Sequence, residues 1–250
     1  MTIKRIIFAL LAAFICLLVH GRTYVVCIGI SDYPGYRNDL TYSDHDARAM
    51  NALFKKGGAN TVLLTNGNAT VEHVMRAMHI FREAEADDAI LFYFSGHGLP
   101  GLFCCYDGSL HYNIIYEAMH RSKASKKMII ADACHSGQIR RNSERAADST
   151  QTSVMFFLSS RSNERSIEPM SYGRNAYEWR NSLFTTFVLQ ALRGRADMDA
   201  DGFVSAIELF EYVHSNVSAI SRGMQHPVMW GKFDRDMPIS MVSASQHQAP

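Results

Sequence analysis

Two short apolar runs, each ending abruptly in small polar residues, constrain the fold of this chain more than any other feature. Residues 90–98 read Ile-Leu-Phe-Tyr-Phe-Ser-Gly-His-Gly, and residues 128–137 read Met-Ile-Ile-Ala-Asp-Ala-Cys-His-Ser-Gly. An apolar run of this length bounded by Gly and Ser is typical of a strand buried on both faces, as in a parallel sheet. Ligands bind at the carboxyl ends of such strands. If the two strands are neighbours, His97 and Cys134 face each other there.

Strand-like and helix-like patterns alternate along the rest of the chain. The predicted strands cover residues 23–30, 61–64 and 154–158, with an edge strand at 228–233 and an extra short strand or hairpin arm at 102–106. The predicted helices cover residues 70–84, 114–121, 183–192 and 206–220, and a further helix follows the capping-type residues 43–46. This alternation predicts an α/β fold with a mostly parallel sheet covered on both faces.

The N-terminus has the pattern of a signal peptide. Lys4 and Arg5 precede an apolar run at residues 6–19, and small residues at the end of that run place cleavage before Arg22. The run is short for a membrane span, which needs about 20 residues. An uncleaved membrane anchor is the alternative. We therefore predict an exported protein, periplasmic or secreted, with no stable membrane span after cleavage.

Composition narrows the function classes. The 250 residues include 25 basic and 24 acidic side chains, a net charge of +1 that gives no indication of a nucleic-acid partner. The five cysteines are too few for a disulfide scaffold in a chain of this size, and without a CxxC pair they do not indicate a zinc site. We predict a signal peptide at residues 1–21, one domain at 22–240 and a flexible tail at 241–250.

The two strand-end residues suggest thiol chemistry. A thiol becomes a strong nucleophile as a thiolate, and a nearby imidazole can take its proton. Small flanking residues free backbone N–H groups to hold a developing oxyanion, and the amides of Gly98 and Cys134 are the natural donors. His135 neighbours the cysteine in sequence, so its side chain should point away, and we predict a structural role for it.

These motifs resemble the catalytic pair of the caspase-like cysteine peptidases, in particular the metacaspase and bacterial caspase-homologue branch. The resemblance extends over residues 24–231, with supporting matches at 40–47, 159–161, 182–185 and 225–227. It implies a three-layer α/β/α sandwich around a six-stranded sheet. It also implies endopeptidase activity by a Cys–His dyad, with Cys134 as nucleophile and His97 as general acid and base.

The resemblance also suggests a substrate preference. In metacaspase-like enzymes the pocket for the substrate residue before the cleaved bond, P1, is acidic and accepts Arg or Lys. Its residues match Asp46, Ser95 and Asp132, and a carboxylate in a partly closed pocket pairs well with a guanidinium or ammonium group. As alternatives, Asp46 can satisfy backbone amides at a helix start and Asp132 can stabilise its own turn. True caspases hold a P1 Asp with basic residues, and no such set is identifiable.

A basic P1 preference would make the polar segment at 138–151 a candidate for self-processing. It contains Arg140, Arg141 and Arg145. The alternative is a solvated linker that is never cut.

A second motif, at residues 197–208, fits the loop of an EF-hand. Acidic residues stand at loop positions 1, 3, 5 and 12 (Asp197, Asp199, Asp201 and Glu208), with glycine at position 6. Oxygen ligands at these spacings suit Ca²⁺, whereas the alternative is a set of Asx turns and a helix cap without metal. The aspartate cluster that binds Ca²⁺ in metacaspases is not recognisable, since Tyr112 and Arg141 fall where carboxylates are expected. We therefore expect no required cofactor, with Ca²⁺ possible at this loop.

The predicted function is that of an exported cysteine endopeptidase acting on proteins or peptides with a basic P1 residue. Two alternatives stay open. One is a catalytically silent binding module on the same fold. The other is a thiol acyl transferase or transpeptidase, which would use the same Cys–His device.

Overall fold

The structure is a computed structural model that describes residues 21–133, 154–161, 164, 166 and 179–242. The strands are β1 (Thr23–Gly29), β2 (Asn60–Thr65), β3 (Ala89–Ser95), β4 (Gly98–Leu99), β5 (Leu102–Cys104), β6 (Ser109–His111), β7 (Lys126–Asp132), β8 (Val154–Leu158), β9 (Phe203–Ser205), β10 (Val228–Trp230) and β11 (Pro238–Met241). The helices are α1 (Ser43–Lys56), α2 (Val71–Ala77), α3 (Tyr112–Arg121), α4 (Leu183–Gln190) and α5 (Ala206–Ile220). The 3₁₀ turns Tyr36–Asn38, Asn66–Asn68 and Met78–Glu83 and the π-helical turn Ala191–Arg195 complete the elements.

A six-stranded sheet in the order β10-β8-β7-β3-β1-β2 forms the centre of the molecule. All neighbouring pairs are parallel except β10 and β8, which are antiparallel. The predicted mostly parallel sheet is therefore confirmed. The predicted strand at 228–233 is present at the sheet edge, although it ends at Trp230.

The core lies on both faces of this sheet, because successive strand residues point to opposite sides. From β3, Phe92 packs in one cluster of buried residues, with α2 and α3, whereas Tyr93 packs in the other, with α1, α4 and α5. The result is the three-layer α/β/α sandwich that the family resemblance implies.

Two helices differ from the sequence prediction, one at its start and one at its end. Residues 43–46 lie inside α1 rather than before it, since the N-cap is Tyr42, whose side chain makes no capping hydrogen bond. The helix predicted over 70–84 begins as expected with a Thr70 cap, but it ends at Ala77 and continues as a 3₁₀ turn. Met78, Phe81 and Ala84 are all buried. Their spacing of three matches the three-residue period of a 3₁₀ helix, which brings them onto one face.

Two small sheets flank the central one. The antiparallel sheet β4-β5-β6 follows directly after His97, and its strand β5 forms the first part of the arm predicted at 102–106 and ends at Cys104. β9 pairs with β11, a strand that the hydropathy pattern did not predict. Within the described ranges, no helix has the length and apolar character needed to cross a membrane.

Candidate active site

The central sheet places the two motif-bearing strands side by side. β3 and β7 are parallel neighbours, with Ser95 opposite Asp132. Just beyond this pair, the Gly96 N–H donates to the Asp132 carbonyl at 3.1 Å. The expectation that the strands are neighbours is confirmed. Cys134 follows Asp132 by two positions and, like His135, lies outside the described residues, so both of their roles stay predictions.

His97 follows β3 with a half-buried imidazole whose tautomer is set by the backbone. Nε2 lies 2.7 Å from the carbonyl oxygen of Asn38. A carbonyl can only accept, so Nε2 carries the hydrogen and the neutral ring has its lone pair on Nδ1. This ring can therefore take a proton at Nδ1, while the Asn38 carbonyl supports the imidazolium that forms.

Sequence reasoning missed the loop that holds this histidine. The Tyr33 hydroxyl accepts a hydrogen bond from the His97 N–H at 3.0 Å, and the two ring centroids are 4.8 Å apart. The sequence shows residues 31–35 only as a turn-rich stretch. The Asn38 contact uses a backbone carbonyl, which every residue type carries, so no sequence signal marks it.

Gly98, the predicted oxyanion donor, is the first residue of β4 and stands opposite Phe103. It is buried next to His97. Its contribution to an oxyanion site stays a prediction. Three cysteines in the described part of the chain, Cys27, Cys104 and Cys105, are free thiols, and burial raises the pKa of each.

The three predicted substrate-pocket residues, Asp46, Ser95 and Asp132, lie in one hydrogen-bonded group that also includes Ser182. The Ser95 hydroxyl donates to Asp46 Oδ2 at 3.0 Å. Ser182 bridges the two aspartates: its N–H donates to Asp46 Oδ1 at 3.0 Å, and its hydroxyl donates to Asp132 Oδ2 at 2.5 Å. Asp46 is 0% exposed and Asp132 is 4% exposed. The structure thus gathers two buried carboxylates near the carboxyl ends of β3 and β7.

The local roles considered for these aspartates do not account for their contacts. Asp46 lies in the first turn of α1, yet its Oδ1 accepts from the Asn181 side chain at 2.9 Å and from the Ser182 N–H, both at the start of α4. Asp132 accepts from the hydroxyls of Ser182 and Thr185, the latter at 3.2 Å. Both carboxylates therefore link separate elements instead of satisfying only their own turns.

The pKa values of both Asp46 and Asp132 are raised above the usual range of an aspartate. Burial raises the pKa of Asp46 to about 8, and the charge of Asp132 adds to the rise. Burial also raises the pKa of Asp132, opposed by hydroxyl donors such as Ser182. Among the described residues, no lysine, arginine or histidine lies within 4.0 Å of either carboxylate. Repulsion between two carboxylates that are buried together without a cation keeps one proton on the pair to a higher pH than usual, and we call this proton the shared proton.

This arrangement predicts a specific pH dependence of stability. Below about pH 4 the Asp46 side chain is protonated in both the folded and the unfolded chain. Between about pH 4 and 8 only the unfolded chain releases that proton, so the free energy of unfolding should fall as the pH rises. Urea unfolding at several pH values, with wild type beside Asp46→Asn, measures this effect.

The asparagine variant is a suitable reference because its amide can keep the local hydrogen bonds. Its oxygen can accept from Asn181 and Ser182, and its NH₂ can donate to the Ser95 hydroxyl. Its stability should depend less steeply on pH than that of wild type over this interval. Equal slopes would contradict the shared proton.

Two further segments that carry the resemblance meet nearby. The Ser159 carbonyl, which follows β8, accepts from the Gln225 side chain at 2.9 Å. The His226 N–H donates to Glu164 Oε2 at 2.9 Å, and His226 Nδ1 lies 2.9 Å from Glu164 Oε1. These contacts tie the segment before β10 to the carboxyl end of β8.

The acidic loop connects the π-helical turn after α4 to α5. Carboxylate oxygens of Asp197, Asp199 and Glu208 lie within 4.8 Å of one another. Glu208 forms a capping box with Ser205, in which its Oε2 accepts from the Ser205 N–H at 2.9 Å, and its Oε1 accepts from the Met198 N–H at 3.0 Å.

The other carboxylates of this loop also accept backbone hydrogens. Asp199 Oδ1 accepts from the Asp201 N–H at 3.1 Å, and Asp201 Oδ1 accepts from the Phe203 N–H at 2.8 Å. These are the Asx-turn and cap contacts of the metal-free alternative. Calcium binding by this loop stays a prediction.

Several predictions fall on residues outside the described ranges. They include the signal peptide at 1–21, apart from Gly21, and the proposed processing positions Arg140, Arg141 and Arg145. Most of the predicted tail at 241–250 also lies outside, although Met241 is the last residue of β11.

Comparison with solved structures supports the architecture. The protein GSU0716 from Geobacter sulfurreducens superposes with a TM-score of 0.61 at 15% identity, covering 89% of this chain and 100% of that chain. Caspase-1 from Spodoptera frugiperda superposes with a TM-score of 0.66 at 14% identity, covering 90% of this chain and 92% of that chain. At these identities the likeness shows the fold alone.

Sequence comparison identifies the family. No curated protein matches the chain. The model of the caspase domain family, Peptidase C14, matches residues 22–237, which is most of the sequence. The chain therefore belongs to the caspase domain family, as its histidine and cysteine motifs predicted.

Proposed function

We propose that this protein is an exported cysteine endopeptidase that cleaves after Arg or Lys, with Cys134 as nucleophile and His97 as general acid and base. The observation that carries the proposal is the state of His97. Its Nε2–H donates to the Asn38 carbonyl, which leaves Nδ1 free to accept a proton beside the strand that leads to Cys134. Membership of the caspase domain family supports the same chemistry.

The proposed reaction proceeds through an acyl-enzyme. His97 Nδ1 takes the thiol proton, and the Cys134 thiolate attacks the peptide carbonyl carbon. The amides of Gly98 and Cys134 hold the resulting oxyanion. The imidazolium then gives its proton to the leaving amine, which leaves a thioester. Water, deprotonated by the same imidazole, hydrolyses the thioester and releases the acid product.

The two buried carboxylates of Asp46 and Asp132, called the acid pair below, support the proposed preference for a basic P1 residue. A guanidinium or ammonium group that reaches Asp46 and Asp132 supplies the positive charge that the described surroundings lack, and it replaces their shared proton. A substrate Asp would bring a third carboxylate to the same place. The proposal therefore favours a basic P1 residue over an acidic one.

The proposal includes three further features that rest on the sequence pattern. The N-terminal segment acts as a signal peptide, so that the protein is periplasmic or secreted. Self-processing at Arg140, Arg141 or Arg145 follows from a basic P1 preference. Calcium at residues 197–208 is an accessory and is not required for the chemistry.

The test is turnover of fluorogenic peptides with P1 Arg, Lys or Asp by the protein beginning at Arg22. We expect cleavage after Arg and Lys, no cleavage after Asp, and no activity in Cys134→Ala. Parallel reactions with calcium and with chelator show whether the acidic loop matters, and gels of wild type and Cys134→Ala report self-processing. Cleavage after Asp would overturn the pocket assignment. If the wild type cleaves none of the peptides in any reaction, the alternative of a non-catalytic binding module on the same fold is favoured.

Product analysis separates hydrolysis from acyl transfer. With an added amine nucleophile, a hydrolase yields mainly the free acid, and a transpeptidase yields mainly the ligated peptide. We expect the free acid.

A further inference from the structure

We propose that Tyr33 is a positioning residue for His97, and that its loop aligns the imidazole with the nucleophile. The inference rests on the proposed function, since an alignment of His97 matters only if this side chain acts on a thiol. Tyr33 itself takes no part in the proposed proton and acyl transfers. It acts by fixing the backbone and the ring of the histidine.

The first contact is a clamp on the backbone around His97. The Tyr33 hydroxyl accepts from the His97 N–H and donates to the Cys104 carbonyl, both at 3.0 Å. The Cys104 N–H in turn donates to the His97 carbonyl at 3.0 Å. Both backbone polar groups of His97 are thereby held. Burial raises the pKa of the Tyr33 hydroxyl, which therefore keeps its proton and can donate throughout the physiological range.

The second observation is that the Tyr33 hydroxyl lies close to Gly96, a glycine of the histidine motif. A Cβ atom at Gly96 would lie 2.6 Å from the Tyr33 hydroxyl oxygen. Any other residue there would push the tyrosine away. Gly96 thus permits the close approach that the clamp requires.

The third observation is that Tyr33 lies in the same hydrogen-bonded loop as Asn38, whose carbonyl sets the tautomer of His97. The Tyr33 N–H donates to Asp39 Oδ1 at 3.1 Å. Asn38 is held in the same loop, since its N–H donates to the Gly35 carbonyl at 2.9 Å and its side chain donates to the Pro34 carbonyl at 3.0 Å. One closed loop therefore contacts the imidazole twice, through the Tyr33 ring and through the Asn38 carbonyl.

Such a support matters because proton transfer is sensitive to geometry. Catalytic groups need to be held within about 0.5 Å of their productive position. A displacement of about 1 Å can cost about 100-fold in rate. His97 lies beyond the last residue of β3, so the sheet ladder alone does not hold its side chain. The Tyr33 loop supplies the missing constraint.

The test compares Tyr33→Phe with Tyr24→Phe. Tyr24 is a buried tyrosine at the opposite end of β1, and its hydroxyl donates to the Glu83 carbonyl at 3.4 Å. The control thus also removes a tyrosine hydroxyl and its hydrogen bond, far along the strand from the loop. We measure kcat and KM, and we follow Cys134 alkylation by iodoacetamide against pH, with the modified peptide quantified by mass spectrometry.

For Tyr33→Phe we expect kcat to fall about tenfold or more, with KM within about twofold of wild type. The pH midpoint of Cys134 alkylation should move upward, because a poorly aligned imidazolium stabilises the thiolate less. Tyr24→Phe should change neither quantity. Asp39→Ala, an exposed substitution that removes the acceptor of the Tyr33 N–H, should shift both in the same direction by less, and it serves if Tyr33→Phe fails to fold.

The outcomes separate this inference from the proposed function. If His97→Ala moves the alkylation midpoint but Tyr33→Phe and Asp39→Ala do not, the dyad stands and the positioning role is overturned. A lower melting temperature without a shifted midpoint also overturns it, because that result is purely structural. If His97→Ala leaves the midpoint unmoved, the dyad fails and the Tyr33 role fails with it.

Discussion

Replacing His97 with alanine is expected to lower kcat/KM for a P1 Arg peptide by about 10²- to 10⁴-fold, the usual contribution of general acid–base catalysis. In the proposed mechanism, this variant lacks the proton acceptor for the thiol and the proton donor for the leaving amine. The fold should persist, because the imidazole is only half-buried and its described hydrogen bond is to a single carbonyl. Progress curves at several substrate concentrations measure the loss.

His79→Ala is the matched control for this experiment. His79 is exposed in the 3₁₀ turn after α2, away from the carboxyl ends of the strands. It should retain wild-type kcat/KM. Partial rescue of His97→Ala by added imidazole would support the proton-transfer role. A His97→Ala enzyme within about threefold of wild type would contradict the dyad.

Replacing Asp46 with asparagine is expected to lower kcat/KM for P1 Arg by about 100-fold relative to P1 citrulline, the neutral isostere of arginine. The variant removes one of the two carboxylates that would pair with the cation. The amide can keep the contacts to Ser95, Asn181 and Ser182, so the change is mainly one of charge. Parallel kinetics on the two peptides isolate the effect of substrate charge.

The same pair of peptides tests the shared proton. In wild type, kcat/KM for P1 Arg should rise with pH up to about 8, because the cation binds only as the acid pair loses its proton. The citrulline peptide should lack this rise, and its profile supplies the dyad's own pH dependence. In Asp46→Asn the ratio of the two substrates should depend less on pH.

Asp44→Asn provides the control in the same helical turn. Asp44 accepts from the Ser31 hydroxyl at 2.8 Å and faces away from the acid pair. It should keep the wild-type preference for arginine. If Asp44→Asn and Asp46→Asn lose the same amount, or if Asp46→Asn loses nothing, the acid pair does not select the substrate.

Much of the architecture could be predicted before the structure was known. The apolar runs of β3 and β7, with small residues at their carboxyl ends, predict neighbouring buried strands, and the register of Ser95 with Asp132 confirms them. Thr70 predicts a helix start because a threonine hydroxyl can accept a hydrogen bond from an amide in the first turn. These predictions succeed because hydrophobic period and capping are local properties of the chain.

Other elements depended on packing. The helix over 70–84 tightens into a 3₁₀ turn after Ala77, where buried residues recur every third position. Residues 43–46 enter α1 instead of capping it, and Asp46 turns its carboxylate to the start of α4. A sequence pattern offers each of these residues several roles, and only the neighbouring elements select one.

The sequence by itself was enough to predict the family, the mostly parallel central sheet and the position of His97 just beyond β3. Only the tertiary structure decided how the site is supported. The Asn38 carbonyl reaches His97 across 59 positions, the Tyr33 hydroxyl across 64, and the Ser182 amide reaches Asp46 across 136. Each of these three contacts has a backbone group on one side, which every residue type carries. Their specificity therefore comes from the fold that brings the partners together, and no residue pattern encodes it.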